Sequence, residues 1–234
     1  ADMLALVHTL APGRSAVHAD PPSRAEGSAN RMPAAFRAVM RSAEREVLIT
    51  NAYVIPDATF MDDLKELAGR GVRVRILTNS LSSNDVPAVN AHYGPWRERL
   101  LQAGVALHEL RADAAIQAEL VDTPPVKSGF VGLHVKAMVV DRQRSFIGSM
   151  NLDPRSEVFN SEMGVVVDSQ GLAAALAQHI ERDMGPANSW QVVAAPGGGL
   201  QWHSGAGTQD REPARHLWQR VENLLFKLMP ASYY

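Results

Sequence analysis

The chain is 234 residues long, enough for one sizeable domain or two small ones. Hydrophobic residues make up 46% and charged residues 21%, an ordinary globular balance, and the formal charge of −2 gives no global field drawing the chain to nucleic acid or an anionic membrane. The lack of cysteine excludes a disulfide framework and a thiolate metal site, and no apolar run approaches the ~20 residues that span a bilayer.

The first residues, Ala1-Asp-Met-Leu-Ala-Leu-Val7, are apolar but short and lack a basic lead, which does not fit a signal peptide. Residues 11–31 are rich in Pro, Gly, Ser and Ala and read as an irregular opening segment. Met32, Phe36, Val39 and Met40 recur at a helical period, predicting a helix over 31–42. A β-rich run over 46–55 is stopped by Pro56. A second helix is predicted over 59–70, with Phe60, Leu64 and Leu67 on one face and Gly71 as its stop. Residues 72–77 alternate like a strand, 93–103 read as a helix closed by Gly104, and 105–110 as another strand. Strands are predicted over 133–140, 145–147 and 163–167, and a helix over 172–184. This alternation predicts an α/β domain whose sheet is covered by helices.

Residues 185–213 carry Pro196, Gly197-Gly-Gly199 and Pro213 and read as a loop, or a short hairpin around Leu200-Gln-Trp202. Next, Leu217, Trp218, Val221, Leu224, Leu225, Leu228 and Met229 form an apolar helical stripe over 217–229, flanked by Arg215, Arg220 and Lys227. The stripe is expected to pack on the domain, the alternative being an interfacial amphipathic helix. The chain divides into an opening segment and first strand (1–30), a catalytic half-domain (31–185), and a C-terminal loop and helix (186–234). No internal repeat is visible.

The chemistry concentrates in His134-x-Lys136-x4-Asp141-x6-Gly148-Ser149-x-Asn151. Alternate residues of a strand share a face, so His134 and Lys136 would stand side by side on an apolar strand. That arrangement is costly to bury without an anionic partner. Lysine can neutralise a phosphate oxygen, and imidazole can attack phosphorus or protonate a leaving alkoxide. Gly148 would permit a tight turn, and the Ser149 hydroxyl and Asn151 amide would donate to phosphate oxygens where charge develops. A lone histidine or a lone Gly-Ser turn is ordinarily structural; the combination at these spacings is not.

These residues resemble the HKD motif and following Gly-Ser-x-Asn element of the phospholipase D superfamily. The resemblance extends to Thr50-Asn-Ala-Tyr-Val-Ile-Pro56, to residues 91–110, to Asn160-Ser-Glu162, to Ser15-Ala-Val-His-Ala-Asp-Pro-Pro22 and to the tail from Glu212 to Pro230, in the manner of the C-terminal half of bacterial cardiolipin synthase-like members. It implies an α-β-α sandwich with a mixed central sheet flanked by helices. It implies that His134 is the general acid/base of a second half, or the nucleophile of a symmetric dimer. Lys136, Ser149 and Asn151, with Gly148, would bind the phosphate. Glu162 would hold the far ring nitrogen of His134 and fix its tautomer, and Asp141 would serve structurally. Asp153 and Glu157 have a weaker claim, Asp153-Pro-Arg155 reading as a turn. No cofactor and no metal are expected.

Family catalysis pairs two such motifs, and none of the other histidines (8, 18, 92, 108, 179, 203, 216) is followed two residues later by lysine. The second motif would come from a missing N-terminal half, favoured by the start at Ala1 and the match to a second half, or from a homodimer mate. The leading expectation is a cardiolipin synthase-like phosphatidyltransferase or phospholipase D acting on glycerophospholipids through a phosphohistidine. It would be a bacterial protein, peripheral to the inner membrane or cytoplasmic, with a phospholipid substrate and a membrane surface as partners. The alternatives are a single-motif homodimeric nuclease, against which stand the charge and only four lysines (65, 127, 136, 227), and a half-domain that is idle without its partner.

Overall fold

The computed structural model describes residues 10–21, 30–120 and 129–229. The expectation for residues 1–7 lies outside this set, as do Pro22, Lys127 and Pro230 from the segments quoted above.

In chain order the elements are β1 (Arg14–Ala19), α1 (Met32–Arg41), β2 (Glu46–Asn51), α2 (Ala58–Gly69), β3 (Arg73–Asn79), α3 (Pro87–Tyr93), α4 (Trp96–Gln102), β4 (Ala106–Leu110), α5 (Gln117–Leu120), β5 (Lys136–Val140), β6 (Arg144–Gly148), β7 (Met163–Asp168), α6 (Gln170–Met184), β8 (Ser189–Ala194), β9 (Leu200–Ser204), β10 (Gly207–Gln209) and α7 (Leu217–Phe226). A π-type turn spans Arg155–Phe159. The strands form one mixed sheet in the order β1-β7-β6-β5-β2-β3-β4-β8-β9-β10. β2, β3 and β4 are mutually parallel, and antiparallel strands flank them on both sides. Every residue of β2 is buried, the mark of a strand covered on both faces.

Register separates the two cores. Val47, Ile49, Ile76, Leu107, Met138, Phe146 and Val166 share one face and pack beneath α1 and α2 with Met32, Phe36, Phe60 and Leu64. Leu48, Leu77 and Val139 point the other way, against Ala173, Ala177 and Ile180 of α6. The α-β-α sandwich is therefore observed directly. Asp57 caps α2 by accepting from the Phe60 N–H at 2.6 Å, and Ser169 caps α6.

Three elements differ from expectation. The helix predicted over 93–103 starts later, at Trp96, behind Gly94-Pro95, and Tyr93 instead ends a separate helix, α3, outside the expected elements. Of the loop or short hairpin predicted over 185–213, the hairpin around Leu200-Gln-Trp202 is present as β9 with β10, and β8, which was not expected, joins it to β4 and extends the sheet. Trp190, Val192 and Trp202 are the inward residues that recruit it to the core. The last helix docks on the domain as expected, but by its polar side and not by its apolar stripe. Gln219 and Asn223 face inward, and Leu217, Trp218, Leu224 and Leu225 are exposed.

Asp141 sits in the β5–β6 turn, at φ 52° with Arg142 at φ 56°. Its carboxylate accepts from the backbone N–H groups of Glu44 (2.8 Å), Arg45 (2.8 Å) and Glu46 (2.9 Å), tying the turn to the start of β2. Burial pushes its carboxyl up, but these donors outweigh it and leave the group below the usual carboxylate range. Asp141→Ala is expected to cost roughly 1–3 kcal/mol in chemical denaturation. A carboxyl lowered in the folded state adds stability above its unfolded pKa and loses it as pH falls through the folded one. The wild-type advantage over the variant therefore shrinks below about pH 4.

Candidate active site

The site lies where β2 and β3 end and β5 begins. Asn51, the last residue of β2, pairs with Lys136, the first of β5. The expected strand over 133–140 is shorter than predicted: regular pairing starts at Lys136, and His134 lies in the segment ahead of it. One further contact, Ala52 N–H to the Val135 carbonyl at 3.1 Å, continues the pairing backward. His134 is exposed while Lys136 is only 8% exposed. The Lys136 ammonium donates to the His134 carbonyl at 2.8 Å, bringing the cation against the backbone of the motif histidine.

Lys136 is the electrostatic centre. Burial lowers its pKa, and the nearby charges of Glu162, Asp153 and Asp85 only partly oppose this. Among the described residues no carboxylate forms an ion pair with it, whereas Arg97 and Arg142 are matched to carboxylates. A lysine drawn from water without a counter-ion is held ready for an incoming anion.

The Gly148-Ser-Met-Asn151 turn is positioned from two sides. A Cβ on Gly148 would lie 2.6 Å from the Met163 carbonyl oxygen, and β6 crosses Gly164 of β7 at the same point. Gly148 is needed for this close approach, not for a left-handed backbone, since its φ is not positive. On the other side Asn51 donates to the Met150 carbonyl at 3.2 Å and accepts from Leu152 N–H at 3.3 Å. Asn151 is thereby bracketed by residues tied to the strand partner of Lys136. Its Oδ1 is buried and, among the described residues, has no hydrogen-bond partner.

Glu162 is not where the family pattern implies. Its carboxylate accepts from the Ser149 hydroxyl and from the Asn160 amide (3.0 Å), and no hydrogen bond among the described residues joins it to His134. Its charge still bears on Lys136. Asp153 accepts from Ser156 N–H at 2.7 Å and opens the turn over Arg155–Phe159; burial raises its carboxyl pKa. Glu157, buried beside Asp57 and Asp153, is pushed up to about 7.

Three residues that sequence reasoning left without a role hold the site together. Asn79, at the end of β3, clasps Leu133 through both amide atoms (2.9 and 2.8 Å), fixing the residue before His134. Asn51 braces the serine turn. Asp20 accepts from Glu162 N–H at 3.1 Å and from the first amides of α1, those of Arg31 and Met32, at 2.6 and 3.0 Å.

Beside Asn151 lies a cavity of about 310 Å³, lined by Tyr53, Val86, Val89, Asp153 and Asn160 among others. A larger depression of about 660 Å³ lies around Asp141, Arg144 and Asp168, at the opposite end of β5. Arg144 there is engaged by Asp168, and Asp141 by backbone amides.

The mixed sheet, the histidine–lysine pair at a strand start and the glycine-gated serine turn together define a protein of the phospholipase D type. The family described as "Cardiolipin synthase, PLD-like domain" matches residues 36–184, and the chain belongs to it. It is 33% identical over 221 residues to cardiolipin synthase C of Escherichia coli K12, covering 92% of this chain and 46% of that protein. The chain thus spans about half the length of that relative. Cardiolipin synthase B of Shigella flexneri is 28% identical over 163 residues, covering 65% of this chain and 35% of that protein. Among solved structures, the phospholipase D family member Nuc of Salmonella typhimurium superposes with a TM-score of 0.53 at 20% identity, over 73% of this chain and 93% of that one. Phosphatidylserine synthase of Haemophilus influenzae gives 0.53 at 16% identity, over 74% and 39%. Both show the shared fold.

Proposed function

We propose that the chain is one half of a phosphatidyltransferase of the cardiolipin synthase kind, built around a phosphodiester cradle of Lys136, Ser149 and Asn151. The observation that carries this reading is Lys136, largely buried beside the motif histidine with no carboxylate paired to it. Lysine and the serine turn hold the non-bridging oxygens. One imidazole attacks phosphorus, forming a P–N bond as the P–O bond to the leaving alcohol breaks. The second imidazole gives that oxygen its proton, then takes a proton from the acceptor alcohol whose attack releases the phosphatidyl group. His134 is one of the two imidazoles. The other comes from the remainder of a longer polypeptide, in keeping with the half-length match to cardiolipin synthase C.

A surface suited to that second half adjoins the site. Val17, Ile147 and Met163 lie on neighbouring strands β1, β6 and β7, on the face that α6 covers farther along, and are exposed together with Val135 ahead of β5. The match to cardiolipin synthase C over 92% of the chain favours a lipid phosphodiester over nucleic acid, as does the net charge of −2. The test is incubation of the full-length polypeptide with phosphatidylglycerol. Cardiolipin and released glycerol are expected; formation of neither contradicts the reading. The chain by itself is expected to turn over nothing, and a self-paired dimer that cleaves single-stranded DNA would replace this reading with the nuclease one.

A further inference from the structure

The C-terminal helix α7 is amphipathic in the reverse sense. Its polar side is the docked side. Gln219 donates to the Leu81 carbonyl at 2.5 Å and accepts from Arg215 N–H at 2.9 Å. The Asn223 side chain accepts from Asn90 of α3 at 3.1 Å and donates to Glu212 at 3.4 Å. The apolar side is left to solvent, with Leu217 77%, Trp218 60%, Leu224 63% and Leu228 82% exposed. A contiguous stripe of this kind is more than the scattered apolar exposure of an ordinary surface. Four cations flank it, Arg211, Arg215, Arg220 and Lys227, against Asp210 and Glu222 of the same segment and Asp85, which acts on Arg215, while Glu212 is engaged mainly by Arg97 at 2.6 Å. This is a local positive excess on a chain of net charge −2.

The helix also borders the active site. Arg215 stacks on the Phe130 ring at 3.7 Å, at the start of the segment that leads to His134. Asp85, which accepts from the Tyr53 hydroxyl at 3.0 Å, exerts its charge on both Arg215 and Lys136. The exposed apolar strip at Val17, Ile147 and Met163 lies on β1, β6 and β7, on the other side of β5 from the β3 end where α7 docks. The second half and the helix therefore have separate surfaces.

We infer that α7 is an interfacial helix that lays Leu217, Trp218, Val221, Leu224, Leu225 and Leu228 into an anionic phospholipid surface, with Arg220 and Lys227 at the headgroups, so that the rim holding Lys136 meets its substrate at the bilayer. Apolar burial supplies the adhesion and the flanking cations select anionic lipid. The inference rests on the lipid reading of the site, but binding can be measured without turnover.

The test is co-sedimentation of the whole chain with vesicles of phosphatidylcholine alone or mixed with phosphatidylglycerol. Wild type is expected to bind the mixed vesicles at least ~10-fold more tightly than the neutral ones, and Leu224→Glu/Leu225→Glu to lose at least ~10-fold of that binding with an unchanged melting temperature. Arg220→Glu/Lys227→Glu should remove the preference for phosphatidylglycerol. Equal binding by wild type and Leu224→Glu/Leu225→Glu overturns the inference. So does a wild type that ignores vesicles and self-associates through this helix, seen as a mass that falls in the variant. In the full-length polypeptide, hydrolysis of a soluble short-chain phosphatidylglycerol should be untouched by the leucine variant. Vesicle binding without any such hydrolysis would leave the helix assignment standing and remove the catalytic one.

Discussion

His134→Ala in the full-length polypeptide is expected to lower turnover of phosphatidylglycerol by roughly 10²–10⁴-fold, the range for removing a proton-transfer group, and by more if His134 is the attacking imidazole. Stability should barely move. The His134 side chain is exposed, ahead of β5, and makes no hydrogen bond among the described residues. Surface changes of that kind stay within about 0.5 kcal/mol. Initial rates and a thermal melt on the same preparation separate the two effects. A variant that melts like wild type and retains most of its rate would remove His134 from the chemistry. Its exposure suits this role: an attacking or protonating ring must reach an outside substrate, so the fold fixes the backbone around it, through Asn79 on Leu133 and Lys136 on its carbonyl, and leaves the ring at the surface.

The largest stability effect is expected at Glu109, in β4, whose side chain is fully buried beside Arg97. Its carboxylate accepts from Arg97 Nε at 2.5 Å, Tyr93 Oη at 2.9 Å and Trp202 Nε1 at 2.8 Å. Arg97 extends to Glu212 at 2.6 Å, and its guanidinium pKa is raised because Glu109 and Glu212 overcome the opposing effect of burial. One carboxylate therefore joins α3, α4, β4, β9 and the segment leading to α7. Glu109→Ala leaves a buried guanidinium and two buried donors short of partners, at a cost of about 3–5 kcal/mol. For a chain of this size that lowers the melting temperature by roughly 6–20 °C. Replacing Arg97 and Glu109 together by apolar residues should cost less than Glu109→Ala alone, because the deepest charge leaves with its partner and Glu212, less buried, keeps the Asn90 and Asn223 amides; equal losses would mean that the hydrogen bonds and not the charge dominate.

Much of the architecture was legible because it is written locally. The run from Glu46 is hydrophobic at successive positions and became the central strand, and Phe60, Leu64 and Leu67 marked the buried side of α2. The motif was legible because its residue types and spacings are themselves the chemistry. What escaped depends on distant partners. The stripe of Leu217, Trp218 and Leu224 has an ordinary helical period, and period alone cannot say which side faces the protein; Gln219 and Asn223 decided that through Leu81, Asn90 and Glu212. β8 is a short strand parted from β9 by Pro196 and glycines, recruited by burial of Trp190 against the core and not by local propensity. The start of α4 at Trp96, by contrast, is marked locally by Gly94-Pro95. Asn51, Asn79 and Asp20 are single polar residues whose partners lie far along the chain, and nothing local distinguishes them.

The cradle itself is tested most directly by inorganic phosphate binding to the full-length polypeptide, followed by calorimetry. Wild type should bind phosphate, and Lys136→Met, which keeps the length of the side chain but removes its charge, should weaken binding by at least ~10-fold with an unchanged melting temperature. Phosphate bound equally well by Lys136→Met would show that the anion sits elsewhere and that His134, Lys136, Ser149 and Asn151 do not form the cradle.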